Sequence, residues 1–124
     1  MDPNLRAAEW IGRRVKVEMD RPLGSFHPRG GRLQYELNYG FVPGTTGGDG
    51  HPIDVYVIDA DTPLLQCEGE VIAIIRRRDD VEDNLVVRIG DGVWSPAEIA
   101  ARTHFQERYF DTYVETGEGP APGA

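Results

Sequence analysis

The stretch "GGDGHPIDVYV", residues 47–57, decides how the rest of the chain is read. A glycine-rich turn runs into a segment in which Ile53, Val55 and Val57 alternate with Asp54, Tyr56 and Ile58, the period of a β-strand with two unlike faces. One face is purely aliphatic. The other opens on the carboxylate of Asp54, five positions after Asp49, with His51 and Pro52 between them. "DG" is a common turn signal, so Asp49 alone could serve its own backbone. A carboxylate at the head of a half-buried strand instead needs a partner.

Upstream, "RVKVEMD" (14–20) alternates strictly, with Val15, Val17 and Met19 on one side and Lys16, Glu18 and Asp20 on the other. The proline- and glycine-rich "RPLGSFHPRGGR" (21–32) is a loop that gathers Arg21, His27, Arg29 and Arg32 in a short span. "LQYELNYGFVPG" (33–44) predicts a short strand entering a turn. Downstream, "EVIAIIRRR" (70–78) and "NLVVRI" (84–89) are strands, joined by a turn that carries Asp79, Asp80, Glu82 and Asp83. Ser95, Pro96 and Glu98 form a capping box that opens a helix through about Phe110. At the other end, Asp2, Pro3 and Gly12 predict a short helix over residues 3–11. The expected result is mainly β with some α: one domain over residues 1–115, a small closed or nearly closed β-barrel with a capped C-terminal helix beside it, and a frayed tail at 116–124.

Composition narrows the function. A chain of 124 residues, 40% hydrophobic, supports one core. Its formal charge of −8, from 21 acidic and 13 basic residues, argues against nucleic acid and anionic membrane as partners. The single cysteine, Cys67, has no partner for an internal disulfide. There is no apolar run of membrane-spanning length, and "MDPNLRAAEW" is too polar for a signal peptide, so a cytoplasmic setting is expected.

Two acidic groups, Asp49 with Asp54 and the 79–83 turn, would repel one another at one end of a small barrel unless cations neutralised them. Mg²⁺ and Mn²⁺ prefer oxygen ligands and commonly sit between a few carboxylates and a phosphate. Such sites suit in-line displacement at phosphorus.

Taken in order, "NYGFVPGT", "DGHPIDVYV", "GEVIAII" and "DDVED" resemble the soluble, single-domain family I inorganic pyrophosphatases, over roughly Val15 to Tyr109. The resemblance implies an OB-like five-stranded barrel with flanking helices, a multi-metal Mg²⁺ site, hydrolysis of pyrophosphate to two phosphates, and a homo-oligomer. It also implies residue roles. Asp49 and Asp54 match the first and last carboxylates of the family's Asp-x-Asp-Pro-x-Asp motif. Asp83 and either Asp79 or Asp80 match the metal-binding aspartates of the acidic turn, and Glu18 resembles the early site glutamate. Tyr39 and Tyr109 match tyrosines that hydrogen-bond phosphate.

The chain also departs from the family. His51 stands where the middle aspartate would be, which leaves it a metal ligand favouring Mn²⁺, a base for water, or a turn residue. The family's phosphate-binding lysines are replaced; Lys16, the sole lysine, faces the same side as Glu18 by strand alternation and is a candidate for binding phosphate. The substitutes would be Arg21, Arg29 or Arg32, with Arg76 or Arg78 near the acidic turn, since arginine grips phosphate bidentately. The sequence thus supports a divalent-metal-dependent pyrophosphatase. Two alternatives stand beside it: a hydrolase of a larger phosphoanhydride, and a non-catalytic relative that binds metal or phosphate.

Overall fold

The computed structural model describes residues 7–29, 32–47, 50–78 and 82–117, with side chains from Glu9 onward. Along the chain come β1 (Arg14–Arg21), β2 (Asn38–Phe41), β3 (Asp54–Val57), β4 (Gln66–Arg77), β5 (Asn84–Arg88), α1 (Pro96–Glu107) and β6 (Thr112–Thr116). The strands join in the order β1-β2-β3-β5-β4, and β4 pairs back to β1, which closes a five-stranded barrel. All pairings are antiparallel except β3 with β5.

The twelve residues of β4 make closure possible. Its first half pairs with β1 from Gln66 to Glu70, and its second half pairs with β6 from Ala73 to Arg77. One strand therefore both seals the barrel and carries an extra strand outside it. β6 did not emerge from the sequence, because "TYVET" is too short to show a period and follows a helix directly. It takes in Thr116, the first residue of the expected tail.

The alternation in β3 sorts the core into two parts. Val55 and Val57 join Val15, Val17, Val71, Ile74, Leu85 and Val87 in a cluster drawn from β1, β3, β4 and β5. Tyr56 and Ile58 face the other way, meeting Tyr35, Leu37, Ala73, Ile75, Val86 and two α1 residues, Ile99 and Phe105. Asp54 heads this helix-facing side, as the period requires.

The capping box of α1 is complete: Ser95 Oγ accepts from the Glu98 backbone N–H at 3.1 Å, and Glu98 Oε1 accepts from the Ser95 N–H at 2.9 Å. Such a cap contributes about 1 kcal/mol. The helix ends at Glu107, so Tyr109 and Phe110 lie in the turn beyond it rather than on the helix.

The N-terminal expectation needs correction. Among the described residues, Ala7–Trp10 form a single 3₁₀ turn, and no N-terminal α-helix is seen; residues 3–6 lie outside the described residues. The chain must turn sharply at Gly12, where φ is 91°, to enter β1. Trp10, fully buried, plugs the barrel core from this turn.

Candidate functional site

Asp54 opens onto a cleft of about 430 Å³ on the helix-facing side of the barrel. The loop after β1 lines it with His27, Leu33 and Tyr35, and four further parts of the chain reach it. β1 brings Asp20 and Arg21, β2 brings Tyr39, and the end of β4 brings Arg77 with Glu82 just beyond it. The far wall is the end of α1 and its exit turn, with Gln106, Tyr109 and Phe110.

A β-bulge explains how β1 contributes two neighbours. Met19 pairs with Gly40 and Arg21 with Tyr39, so Asp20 is the extra residue opposite one step of β2. A bulge breaks strict alternation and re-aims side chains, here putting Asp20 and Arg21 on the same cleft. Next to it, Gly40 approaches β1 so closely that a Cβ would run into the Glu18 carbonyl. Asn38 anchors the adjoining loops: its Oδ1 accepts from the N–H groups of Leu23 and Leu64 at 3.0 and 2.9 Å, and its Nδ2 donates to the Thr62 carbonyl at 2.9 Å.

Under the cleft runs a buried polar network. The Tyr39 hydroxyl donates to Asn84 Oδ1 at 3.0 Å, and Asn84 Nδ2 reaches Glu107 Oε2 at 3.3 Å. Tyr56 donates to the same oxygen at 2.6 Å, and Gln106 ties the hydroxyls of Tyr56 and Tyr35 together, each at 2.6 Å. Burial, reinforced by the charge of Asp54, pushes the Tyr39 phenol well above its ordinary range. Burial and then Glu107 do the same to Tyr56. Both hydroxyls therefore keep their protons at neutral pH and act as donors.

Of the residues singled out from sequence, Asp54, Arg21, Tyr39 and Tyr109 share this cleft, and His27 joins them. His51 lines an adjoining cleft together with Asp20 and Asp54, so these two aspartates form the wall common to both. Glu18, Arg29 and Arg32 are exposed and line neither cleft. Lys16 borders a separate groove with Arg14 and Glu68. Asp83 is held by Arg76 at 3.3 Å, and Arg76 also binds Glu115 at 3.0 Å. Asp49, Asp79 and Asp80 lie outside the described residues. Among the described residues, no three His, Cys, Asp or Glu side chains come together as a metal site.

Several cleft residues were not legible as site residues, among them Leu33, Tyr35 and Gln106 and two charged ones: Asp20, hidden by the bulge, and Arg77. In the "RRR" run, Arg76 and Arg78 were the candidates, yet they pair with Asp83 and Asp111 while Arg77 between them turns into the cleft. Alternation along β4 carried that signal, because Arg77 shares a face with Ala73 and Ile75, the face that packs on α1.

Comparison with known proteins agrees with this architecture. A family model described as inorganic pyrophosphatase matches residues 10–115. The inorganic pyrophosphatase of Ralstonia nicotianae is 41% identical over 61 residues, 47% of this chain and 33% of that protein. That of Mesorhizobium japonicum is 49% identical over 62 residues, 45% of this chain and 33% of that protein. These matches span about a third of the length of the curated relatives. The crystal structure of inorganic pyrophosphatase from Ehrlichia chaffeensis superposes with a TM-score of 0.66 at 16% identity, covering 91% of this chain and 92% of that one. For the enzyme from Thermus thermophilus the TM-score is 0.55 at 19% identity, covering 96% and 86%. At such identities the structural likeness speaks for the fold.

Proposed function

The chain belongs to the family I inorganic pyrophosphatases, and from that premise we propose that it hydrolyses pyrophosphate to two phosphates with the help of a divalent cation. The observation that supports this most is the meeting of Asp54 and Asp20 with Arg21, Tyr39 and Tyr109 around one cleft. Carboxylates for a cation and donors for phosphate oxygens are then within one enclosure.

The donor set fits Mg²⁺. Asp20 and Asp54 offer hard oxygen donors on a shared wall, and Mg²⁺ typically needs only one or two protein carboxylates besides water and substrate phosphate. Asp49, Asp79, Asp80, Asp83 and Glu18 are the further carboxylates that this reading assigns to cations. His51, beside Asp54, adds an imidazole that favours Mn²⁺. The cation would supply Lewis acidity toward water and phosphate oxygens.

The chain's own residues do the rest. Arg21 grips a phosphate group, since a guanidinium matches its geometry and keeps its charge. Tyr109, 61% exposed at the cleft mouth, donates to a phosphate oxygen, while Tyr39, held protonated and donating to Asn84 Oδ1, would reach phosphate only by giving up that bond. Tyr35, Tyr39 and Phe110 limit water on the inner side.

Phosphate release from pyrophosphate, followed across a titration of Mg²⁺ and then Mn²⁺, tests this reading. Turnover is expected to vanish in Asp54→Asn; metal-dependent turnover that survives this substitution would refute it. A second reading, a non-catalytic metal- or phosphate-binding relative, draws on His51 in the place of an aspartate. It expects calorimetric binding of Mg²⁺ or Mn²⁺ with no phosphate released. A panel of phosphoanhydrides at equal metal separates pyrophosphate from a larger substrate. The reading extends to a homo-oligomer, with Leu65 and Val93 exposed at 86% and 88%, and sedimentation decides that point.

A further inference from the structure

The segment between β1 and β2 folds back on itself as a short ribbon. The His27 N–H donates to the Leu33 carbonyl at 2.8 Å, the Tyr35 N–H to the Ser25 carbonyl at 2.8 Å, and the Gly24 N–H to the Tyr35 carbonyl at 2.7 Å. Phe26 and Gln34 pair between these contacts. Side chains along such a ribbon alternate between its two faces. His27, Leu33 and Tyr35 share the face that lines the cleft, while Phe26 and Gln34 are exposed on the other. Backbone pairing by itself therefore delivers the His27 imidazole to the cleft, and the ring plays no part in those bonds.

The ring is also fixed in its choice of tautomer. Its Nδ1 accepts from the Arg29 N–H at 3.1 Å. A neutral imidazole has one acceptor nitrogen and one donor, so the hydrogen is on Nε2. Among the described residues, no acceptor for that hydrogen is found. His27 thus brings a donor of defined polarity to a cleft that also holds Arg21, Asp20 and Asp54.

Other donors along the wall have structural commitments. The Tyr39 hydroxyl donates to Asn84, and the Arg77 guanidinium donates twice to Glu107. Building on the hydrolase reading above, we propose that His27 is a substrate-binding residue whose Nε2–H donates to a phosphate oxygen, with the Arg29 N–H holding the ring in the tautomer that can do so. A hydrogen bond to an anionic oxygen is charge-assisted and stronger than one between neutral groups. The ligand class is a diphosphate or a terminal phosphate group.

Two substitutions separate this role from a purely structural one, in which the ring only steadies the turn to Arg29. Asparagine carries its amide oxygen about where Nδ1 sits and can still accept from the Arg29 N–H, but it has no donor at the place of Nε2. Glutamine carries its amide nitrogen about as far out as Nε2 and keeps the donor. Binding of methylenediphosphonate, a diphosphate that cannot be hydrolysed, is measured by calorimetry in excess Mg²⁺, with a thermal melt to verify folding. The dissociation constant is expected to rise about tenfold in His27→Asn and about threefold or less in His27→Gln. A structural role predicts the reverse order.

The proposal is overturned by a folded His27→Asn variant that binds like wild type, by variants that lose binding equally or in the reverse order, or by a wild type that does not bind the diphosphonate. Binding that follows the expected order without phosphate release from pyrophosphate sinks the hydrolase reading alone. Turnover whose KM is unmoved by His27→Asn sinks this inference alone.

Discussion

Arg77 and Glu107 join the end of β4 to the last turn of α1 through two parallel contacts, with side chains 5% and 4% exposed. Burial alone would lower the Arg77 pKa, but the hydrogen bonds and charge of Glu107 outweigh it and raise it, so the guanidinium stays charged. Removing one partner from such a pair strands the other's charge. Glu107→Ala is expected to destabilise the fold by about 3–5 kcal/mol in urea denaturation. A loss below about 1 kcal/mol would mean that water screens the pair as it does at a surface.

Gly40 is a second point of low tolerance. Its Cα lies against the β1 backbone at the bulge, and Gly40→Ala would push a Cβ into the Glu18 carbonyl and the Met19 backbone. Neither neighbour is a flexible side chain, so β1 or β2 must move. The substitution is expected to prevent folding or to lower the melting temperature by about 10 °C or more, on the order of 2–3 kcal/mol. A Gly40→Ala variant that melts like wild type would show that the bulge relaxes at little cost.

Cys67 provides a pH-dependent test. Burial, aided by Asp59, pushes its thiol from 9.0 up to about 11. The folded chain therefore keeps this proton more tightly than the unfolded one. The associated stability is complete below pH 9.0 and is lost as pH rises toward 11. At about pH 8 a disulfide reagent should react about a hundredfold more slowly with native protein than with protein in urea. Equal rates would show that the thiol is not shielded.

His51 shares a wall with Asp54 and Asp20, so its replacement should change metal preference before it changes fold. His51→Asp adds a hard oxygen donor, and the Mg²⁺ concentration for half-maximal activation is expected to fall several-fold relative to Mn²⁺. Chelation should abolish turnover in both proteins, and added Mg²⁺ should restore it. An unchanged Mg²⁺ to Mn²⁺ ratio would assign His51 to the turn alone.

Much of the barrel could be read along the chain, because its information is periodic. The two faces of β3, the outward row on β1 and the Ser95 capping box all follow from local spacing. The N-terminal helix failed because the Asp2–Pro3 start signal says nothing of the demand that Trp10 enter the barrel a few residues later. β6 failed because a five-residue strand owes its existence to the second half of β4, which offers it an edge.

The same division holds at the cleft. Sequence alone determined that the chain is acidic and mainly β and that Asp54 heads one face of a strand, since those facts rest on composition and period; the grouping of Asp54 with Tyr39 was what the family resemblance implied. Only the tertiary structure decided which cations and carboxylates meet. The bulge at Asp20 turns Asp20 and Arg21 to one side, and α1 packing against β4 draws Arg77 in while Lys16 is left on another face. Register shifts and helix docking are settled by contacts between residues distant along the chain, and no local pattern records them.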